Sequence, residues 1–346
     1  MLSEFDIIPP LMIYDCFSFF NELDVLEIRL NTLCSVVDKF VLVEAPWTHT
    51  GRPKPLIFEN NKARFAPFLE KIVHIVVTDD DLPQFPAGAT EREIAWIREN
   101  VQRNAIVKGL DGAQPDDVLI ISDLDEIPNP EKVLEAAKAP RGITNLNLRN
   151  YAFFLNNRNI SNPDWAAGPQ LLTAAAFRDA ATYAKSTFSE YAPECANPLP
   201  SATLIRFLPK KRVIKDAGWH FSYMGGVKAI IEKSRSFAHN EFTLAEDDEE
   251  RIRAALAAGR SPLPGGDRFA AEPLSRGFPS FITGNVPHLK PLTLETTEAA
   301  YRKTKVLRIW APLKKKAYDS FVAAAIFIVP KFLHPTFKAV RKRLGI

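Results

Sequence analysis

Val118-Leu119-Ile120-Ile121-Ser122-Asp123-Leu124-Asp125 is the stretch whose reading decides the fold. A short apolar run bounded by polar residues reads as a buried strand. Two acids at i, i+2 close the run. In an extended chain both carboxylates then point the same way from the C-terminal edge of a sheet. Carboxylates held that close repel unless a cation lies between them. Hard oxygen ligands of this kind suit Mg²⁺ or Mn²⁺, above all where a diphosphate supplies further oxygens. Enzymes that move a sugar from a nucleotide donor use such a D-x-D pair. Asp123 and Asp125 are therefore metal candidates, with Asp123 also a contact for the bound donor. The competing reading is a turn acid or helix N-cap after a core strand.

Outward from this strand, the chain alternates strand and helix patterns. Residues 11–15, 40–44 and 72–77 read as three more strands. Leu23, Leu26, Leu30 and Leu33 recur at helical spacing after an N-cap at Asn21, and residues 92–110 carry a second helical stripe ended by Asp111-Gly112. This rhythm predicts an α/β fold with a mostly parallel central sheet flanked by helices. After Asn129-Pro130 and a short helix, residues 143–148, 151–155, 171–177 and 202–207 read as strands of an added antiparallel region. Residues 225–239 and 246–258 read as helices. One domain is expected over residues 1–305, with a nucleotide-sugar half to about 130 and an acceptor half beyond it. Residues 306–346 form a basic and apolar tail.

In parallel sheets ligands bind beyond the carboxyl ends of the strands. Asp15 and Glu44 close predicted strands there and join Asp123 as candidate cofactor contacts. Trp96, Glu99 and Arg103 share one helix face. They form either a solvated Glu–Arg pair beside a packed Trp or a phosphate-binding face, where the Arg103 fork grips the donor. Gly218-Trp219-His220 follows a basic stretch, and His220 is a candidate metal ligand or phosphate contact. Asp216 and Glu126 are the candidate catalytic acids. Asp216 is read as a general base, and Glu126 as an acid supporting the pair or a helix-leading charge. Glu44, Glu194 and Asp164 are weaker candidates for the base. The amide-rich loop Asn156-Asn157-Arg158-Asn159 with Asp164-Trp165 suits a sugar's hydroxyls and apolar face, and equally a plain surface turn.

The totals exclude several classes. The 346 residues are 46% hydrophobic and 25% charged, as in ordinary globular proteins. A formal net charge of +3 gives no ground for a nucleic-acid partner. Cys16, Cys34 and Cys195 are scattered and lack metal-ligand spacing, which suits a reducing compartment. The N-terminus is acidic where a signal peptide is basic, and no apolar run has the length of a membrane span. A cytoplasmic enzyme, working at the inner face of the membrane, is expected. Lys314-Lys315-Lys316, apolar residues 317–329 and basic residues 338–343 read as a peripheral membrane contact or as a packed helix with a solvated basic end.

The ordered segments resemble glycosyltransferase family 17. The similarity lies in Tyr14-Asp15-Cys16-Phe17, Asn21-Glu22-Leu23-Asp24, Glu44-Ala45 and Thr48-His49-Thr50-Gly51. It continues in Trp96-Ile97-Arg98-Glu99-Asn100, Gln102-Arg103, Ile121 to Pro128 and Ala217 to Ser222. The resemblance implies a GT-A-like nucleotide-sugar fold, an inverting mechanism, a UDP-GlcNAc donor and a divalent metal at Asp123 and Asp125, with His220 close by. The sequence departs from the family at Phe221 and Tyr223, where Cys and Trp are expected, and the acceptor expected here is a glycan or, where the tail meets a membrane, a glycolipid. Metal-dependent nucleotidyl or phosphoryl transfer is the competing enzyme class, and a non-catalytic carbohydrate-binding protein the competing binder.

Overall fold

A computed structural model describes residues 11–140, 142–180, 212–238 and 244–304, with isolated residues at 202, 205, 307 and 312. Among the described residues the larger sheet has seven strands. Four are parallel neighbours: β3 (Ile72–Val76), β2 (Lys39–Glu44), β1 (Ile13–Ser18) and β4 (Val118–Asp123). Strand β1 lies between β4 and β2, so Cys16 pairs with Ile121 on one side and Val41 on the other. Side chains alternate along β1. Ile13 and Phe17 join one apolar cluster with Leu26, Leu30 and Leu33 of helix α1 (Leu23–Leu33). Tyr14 and Cys16 join the cluster on the opposite face, with Val101 of a later helix. Both faces are covered, which is why β1, β2 and β4 are almost unbroken apolar runs.

Beyond β4 the sheet continues antiparallel through β10 (Gln170–Thr173) to β6 (Thr144–Leu146), and then parallel to β11 (Arg212–Ile214). The expected α/β architecture, a mostly parallel core with an antiparallel addition, is the one observed. A second sheet of six strands holds β5 (Glu126–Pro128), β12 (Gly218–Ser222), β7 (Leu148–Ala152), β8 (Asn157–Asn159), β9 (Asp164–Trp165) and β13 (Phe269–Ala271). The strand predicted over residues 143–148 is therefore two strands, parted at Asn147 and sent to different sheets. The run through residues 151–155 stops at Ala152, because Phe153 turns left-handed at φ 71°. Residues 174–180 are helical rather than extended, and so are Ala202 and Ile205, the described positions of 202–207.

Helix α2 (Ile57–Asn60) follows β2, and α3 (Glu91–Asn104) precedes β4. Thr90 caps α3 in a capping box with Glu93, as its position before an apolar-periodic run dictates. The α3 helix is shorter than its stripe, since residues 105–109 tighten to a 3-10 turn. In α1 the cap position is Glu22 rather than Asn21, with no side-chain cap bond. Asn129 caps α4 (Pro130–Ala137) as read, through Glu131 N–H at 2.8 Å. Helix α5 (Gly226–Ser236) packs beside α6 (Glu249–Ala257). No helix among the described residues is long and apolar enough to cross a membrane. The tail segments read as a membrane contact lie outside the described residues.

Candidate functional site

The D-x-D acids sit where the chain leaves one sheet for the other. Asp123 ends β4, Leu124-Asp125 make a turn, and Glu126 begins β5 in the second sheet. The two carboxylates are thus not neighbours on one strand face, as the alternation argument had them. The turn is moulded from beneath by Arg29, which is fully buried on α1. Its guanidinium donates to the carbonyls of Asp123, Leu124 and Glu126, each at 2.9 Å, and to Ser122 Oγ at 2.6 Å. It is held by both Asp15 oxygens, at 2.7 and 2.5 Å, and lies 4.5 Å from the Phe17 ring centre. Five N–H donors make these six contacts because the two on Nη1 are shared among the three carbonyls.

Asp125 is 7% exposed. Its Oδ2 accepts from Lys233 Nζ of α5 at 2.9 Å, and its Oδ1 faces His220 Nε2 at 3.7 Å. Burial disfavours its charge, but Lys233 and His220 together outweigh that and hold the carboxyl below the usual range. Strand β12 delivers His220, paired with Glu126 of β5 and Asn150 of β7. Asn150 Nδ2 donates to the Asn162 carbonyl, so Asn150 Oδ1 is left to accept from His220 Nδ1 at 3.3 Å. That partner places a ring proton on Nδ1, and Nε2 faces Asp125. Trp165 stacks on the imidazole at 4.2 Å and 22°, and gives its indole N–H to Glu126 Oε1 at 2.7 Å.

Asp123 is more open. Arg103, in the last turn of α3, grips it at 2.8 and 3.1 Å and also holds Glu99 at 3.0 Å. Glu99 faces His49 Nδ1 at 3.6 Å. Gln102 Nε2 donates to the carbonyls of Phe19 and Val43, so its Oε1 accepts from His49 Nε2 at 3.1 Å. Burial pulls the His49 pKa down, against the opposing pull of Glu99. His49, Glu99, Arg103 and Asp123 thus form one polar chain along the sheet edge. The shared helix face read for Glu99 and Arg103 is real, and it meets the first D-x-D acid.

Four sequence readings are corrected. Asp15 lies mid-strand in β1, since the strand runs on to Ser18, and its carboxylate is buried against Arg29. Glu44 does end β2 but is fully buried and turned inward. It accepts from Phe58 N at 3.0 Å, with Lys54 and His74 at 3.5 and 3.3 Å. Glu126 neither leads a helix nor opens to a substrate, and the reading of it as an acid supporting the pair holds: it is fully buried, and its carboxylate takes Asp123 N at 3.0 Å and the Trp165 indole. It shapes the turn. Asp216 is four residues before His220, in a left-handed bend at φ 51° that precedes β12. It points away to solvent, 61% exposed, in a fork with Arg149 that lowers its pKa. A base at the D-x-D turn it is not. Glu194 lies outside the described residues, and Asp164 is exposed.

Whether a divalent cation fits can be asked of the residues themselves. Among the described residues no three His, Cys, Asp or Glu side chains converge on one point. Asp125 Oδ1 and His220 Nε2 do converge, at 3.7 Å, too far for a hydrogen bond. Two cis ligands of an octahedral ion, each about 2.1 Å from it, stand roughly 3.0 Å apart, so the 3.7 Å gap would close by about 0.7 Å on such an ion. Around the turn, Glu22, Glu99, Asp123, Asp125 and Glu126 meet the side-chain cations Arg103 and Lys233, with Arg29 neutralised by Asp15. An excess of negative charge repels a diphosphate unless a cation joins it. One or two protein ligands plus phosphate oxygens is a usual way to hold a divalent cation, and an imidazole among them favours Mn²⁺ over Mg²⁺. The residues fit such an ion.

The family described as glycosyltransferase family 17 matches over residues 7–192. The beta-1,4-mannosyl-glycoprotein 4-beta-N-acetylglucosaminyltransferase of Rattus norvegicus is 33% identical over 131 residues, covering 36% of this chain and 23% of that protein. The Homo sapiens protein of the same name is 35% identical over 120 residues, covering 33% and 21%. The match thus spans under a quarter of these relatives' length. Among solved structures, 4-diphosphocytidyl-2C-methyl-D-erythritol synthase aligns with a TM-score of 0.34 at 16% identity, covering 60% of this chain and 89% of its own. Glucosyl-3-phosphoglycerate synthase of M. tuberculosis aligns with a TM-score of 0.26 at 12% identity, covering 62% and 72%.

Proposed function

The chain belongs to glycosyltransferase family 17, and from that membership we propose that it transfers a sugar from a nucleoside diphosphate donor to a hydroxyl of a glycan or glycolipid. N-acetylglucosamine carried by UDP is the donor proposed first, by analogy with the relatives' names. The observation that carries the reading is the Asp125–His220 pair at 3.7 Å, set in an acid-rich corner beside Arg103. Asp125 and His220 would hold a divalent cation, with Asp123 beside them. When bound, such an ion neutralises charge that builds on the leaving diphosphate.

The chain's own residues prepare that step. Arg29 fixes the carbonyls of the turn, so Asp125 keeps one direction. Asn150 and Trp165 fix the orientation of the His220 ring. Arg103, already on Asp123, lies in position to offer its remaining donors to a phosphate as charge leaves the sugar. Burial of this corner lowers the local dielectric and strengthens each of these interactions. Inversion at the anomeric carbon belongs to the same reading. The test is a screen of nucleotide sugars for release of the nucleoside diphosphate, run in Mn²⁺ and in chelator. UDP release from one donor, lost in chelator, is the expected result. Release of pyrophosphate, or no turnover of any donor with any acceptor, would reject the reading.

A further inference from the structure

Lys233 reaches the same corner from α5 and has no place in the mechanism above. Its side chain is 12% exposed. The ammonium bridges Asp125 Oδ2 at 2.9 Å and Glu22 Oε1 at 3.0 Å. The ring centres of Tyr223 and Phe237 stand 5.4 and 5.2 Å from it, as walls of a cation seat. Three segments far apart in sequence thus meet on one nitrogen. Asp125 is shared, with Oδ1 turned to His220 and Oδ2 to Lys233. A lysine has three donors, and these two carboxylates take two of them. A phosphate held at the Oδ1 side would share the Asp125 carboxylate with Lys233.

We propose that Lys233 binds the donor's diphosphate directly, as a protein-held cation next to the Asp125–His220 seat. The inference rests on the nucleoside diphosphate reading above and adds a residue to it. Helix α5 starts at Gly225 and Gly226, both left-handed at φ 101° and 82°, where only glycine is at ease. That bend aims the helix, and Lys233 with it, across the turn. Glu22 holds the ammonium back from the phosphate, so the two residues have opposite effects on an incoming anion.

The test is calorimetric titration of the full chain in Mg²⁺ with UDP, and with uridine as the probe that lacks phosphate. Lys233→Met is expected to weaken UDP roughly 10- to 100-fold while leaving uridine unchanged. Glu22→Gln, which releases one lysine donor, is expected to tighten UDP. A purely structural tie makes both variants weaken both ligands, and that result overturns the assignment. So does native UDP affinity in a folded Lys233→Met chain. If Lys233→Met does not fold, the sign of the Glu22→Gln effect decides alone. A wild-type chain that binds neither UDP, GDP nor CDP fails at the transferase reading itself, which separates the two failures.

Discussion

Replacing Arg29 by Met removes the charge that shapes the D-x-D turn while keeping an apolar side chain of similar reach. Asp15 would then be buried with no counter-charge, since both residues are fully buried. Breaking such a pair from one side costs about 3–5 kcal/mol. A domain's whole stability is about 5–15 kcal/mol, so the variant stands near the edge of folding. At roughly 2 °C per kcal/mol for a chain of this size, the melting temperature falls about 6–10 °C. Adding Asp15→Leu removes the stranded carboxylate, and apolar replacement of both partners is often nearly neutral. Stability should therefore return in part. The carbonyls of Asp123, Leu124 and Glu126 still lack their donor, so binding of UDP with Mn²⁺ should not return. The assays are urea denaturation and UDP titration on the single and double variants. A single-variant loss below about 1 kcal/mol, or a double variant that binds UDP normally, refutes the reasoning.

Asp216→Asn should leave turnover within a few-fold of wild type, because its carboxylate is committed to Arg149 at the far end of β12; a loss near 10³-fold in kcat would reinstate it as the base. His49 has a folded pKa below its unfolded value of about 6.5, so it contributes stability above that pH that is lost as pH falls through the folded value. Urea midpoints at pH 7.5 and 5.5 should differ for wild type and converge in His49→Gln, and an unchanged slope counts against the His49 account. Gly218→Ala drives a Cβ to 2.3 Å from the Ile127 carbonyl oxygen, at φ 140°, so β12 must part from β5. It should destabilise by more than about 2 kcal/mol and loosen His220, and thermal melting reads the loss.

The parallel core was legible because its signal is local. Buried strands such as Val118–Asp123 and stripes such as Leu26, Leu30 and Leu33 declare their period within one element. Arg29 was also visible, as a base set inside that apolar stripe, but stripe-reading counts the leucines and passes over the arginine between them. Lys233 left no such trace, since its partners lie 108 and 211 residues away. The strand after α4 misled for a related reason. Alternation over residues 143–148 fits one strand, and only pairing with β10 and β12 shows that Asn147 divides it. Asp15 and Glu44 look like Asp123 in sequence, each an acid after an apolar run. Burial separates them: an acid facing Arg29 or the α2 backbone completes the core, while one at a sheet corner stays open to a ligand.

The central claim is that Asp125 and His220 share the cation that carries the donor diphosphate. Anomalous diffraction from crystals soaked in MnCl₂ and UDP locates the ion directly. The account predicts a manganese peak in contact with both Asp125 Oδ1 and His220 Nε2 and with UDP oxygens. A peak elsewhere, or UDP bound with those two atoms still facing each other across an unbridged gap, contradicts it.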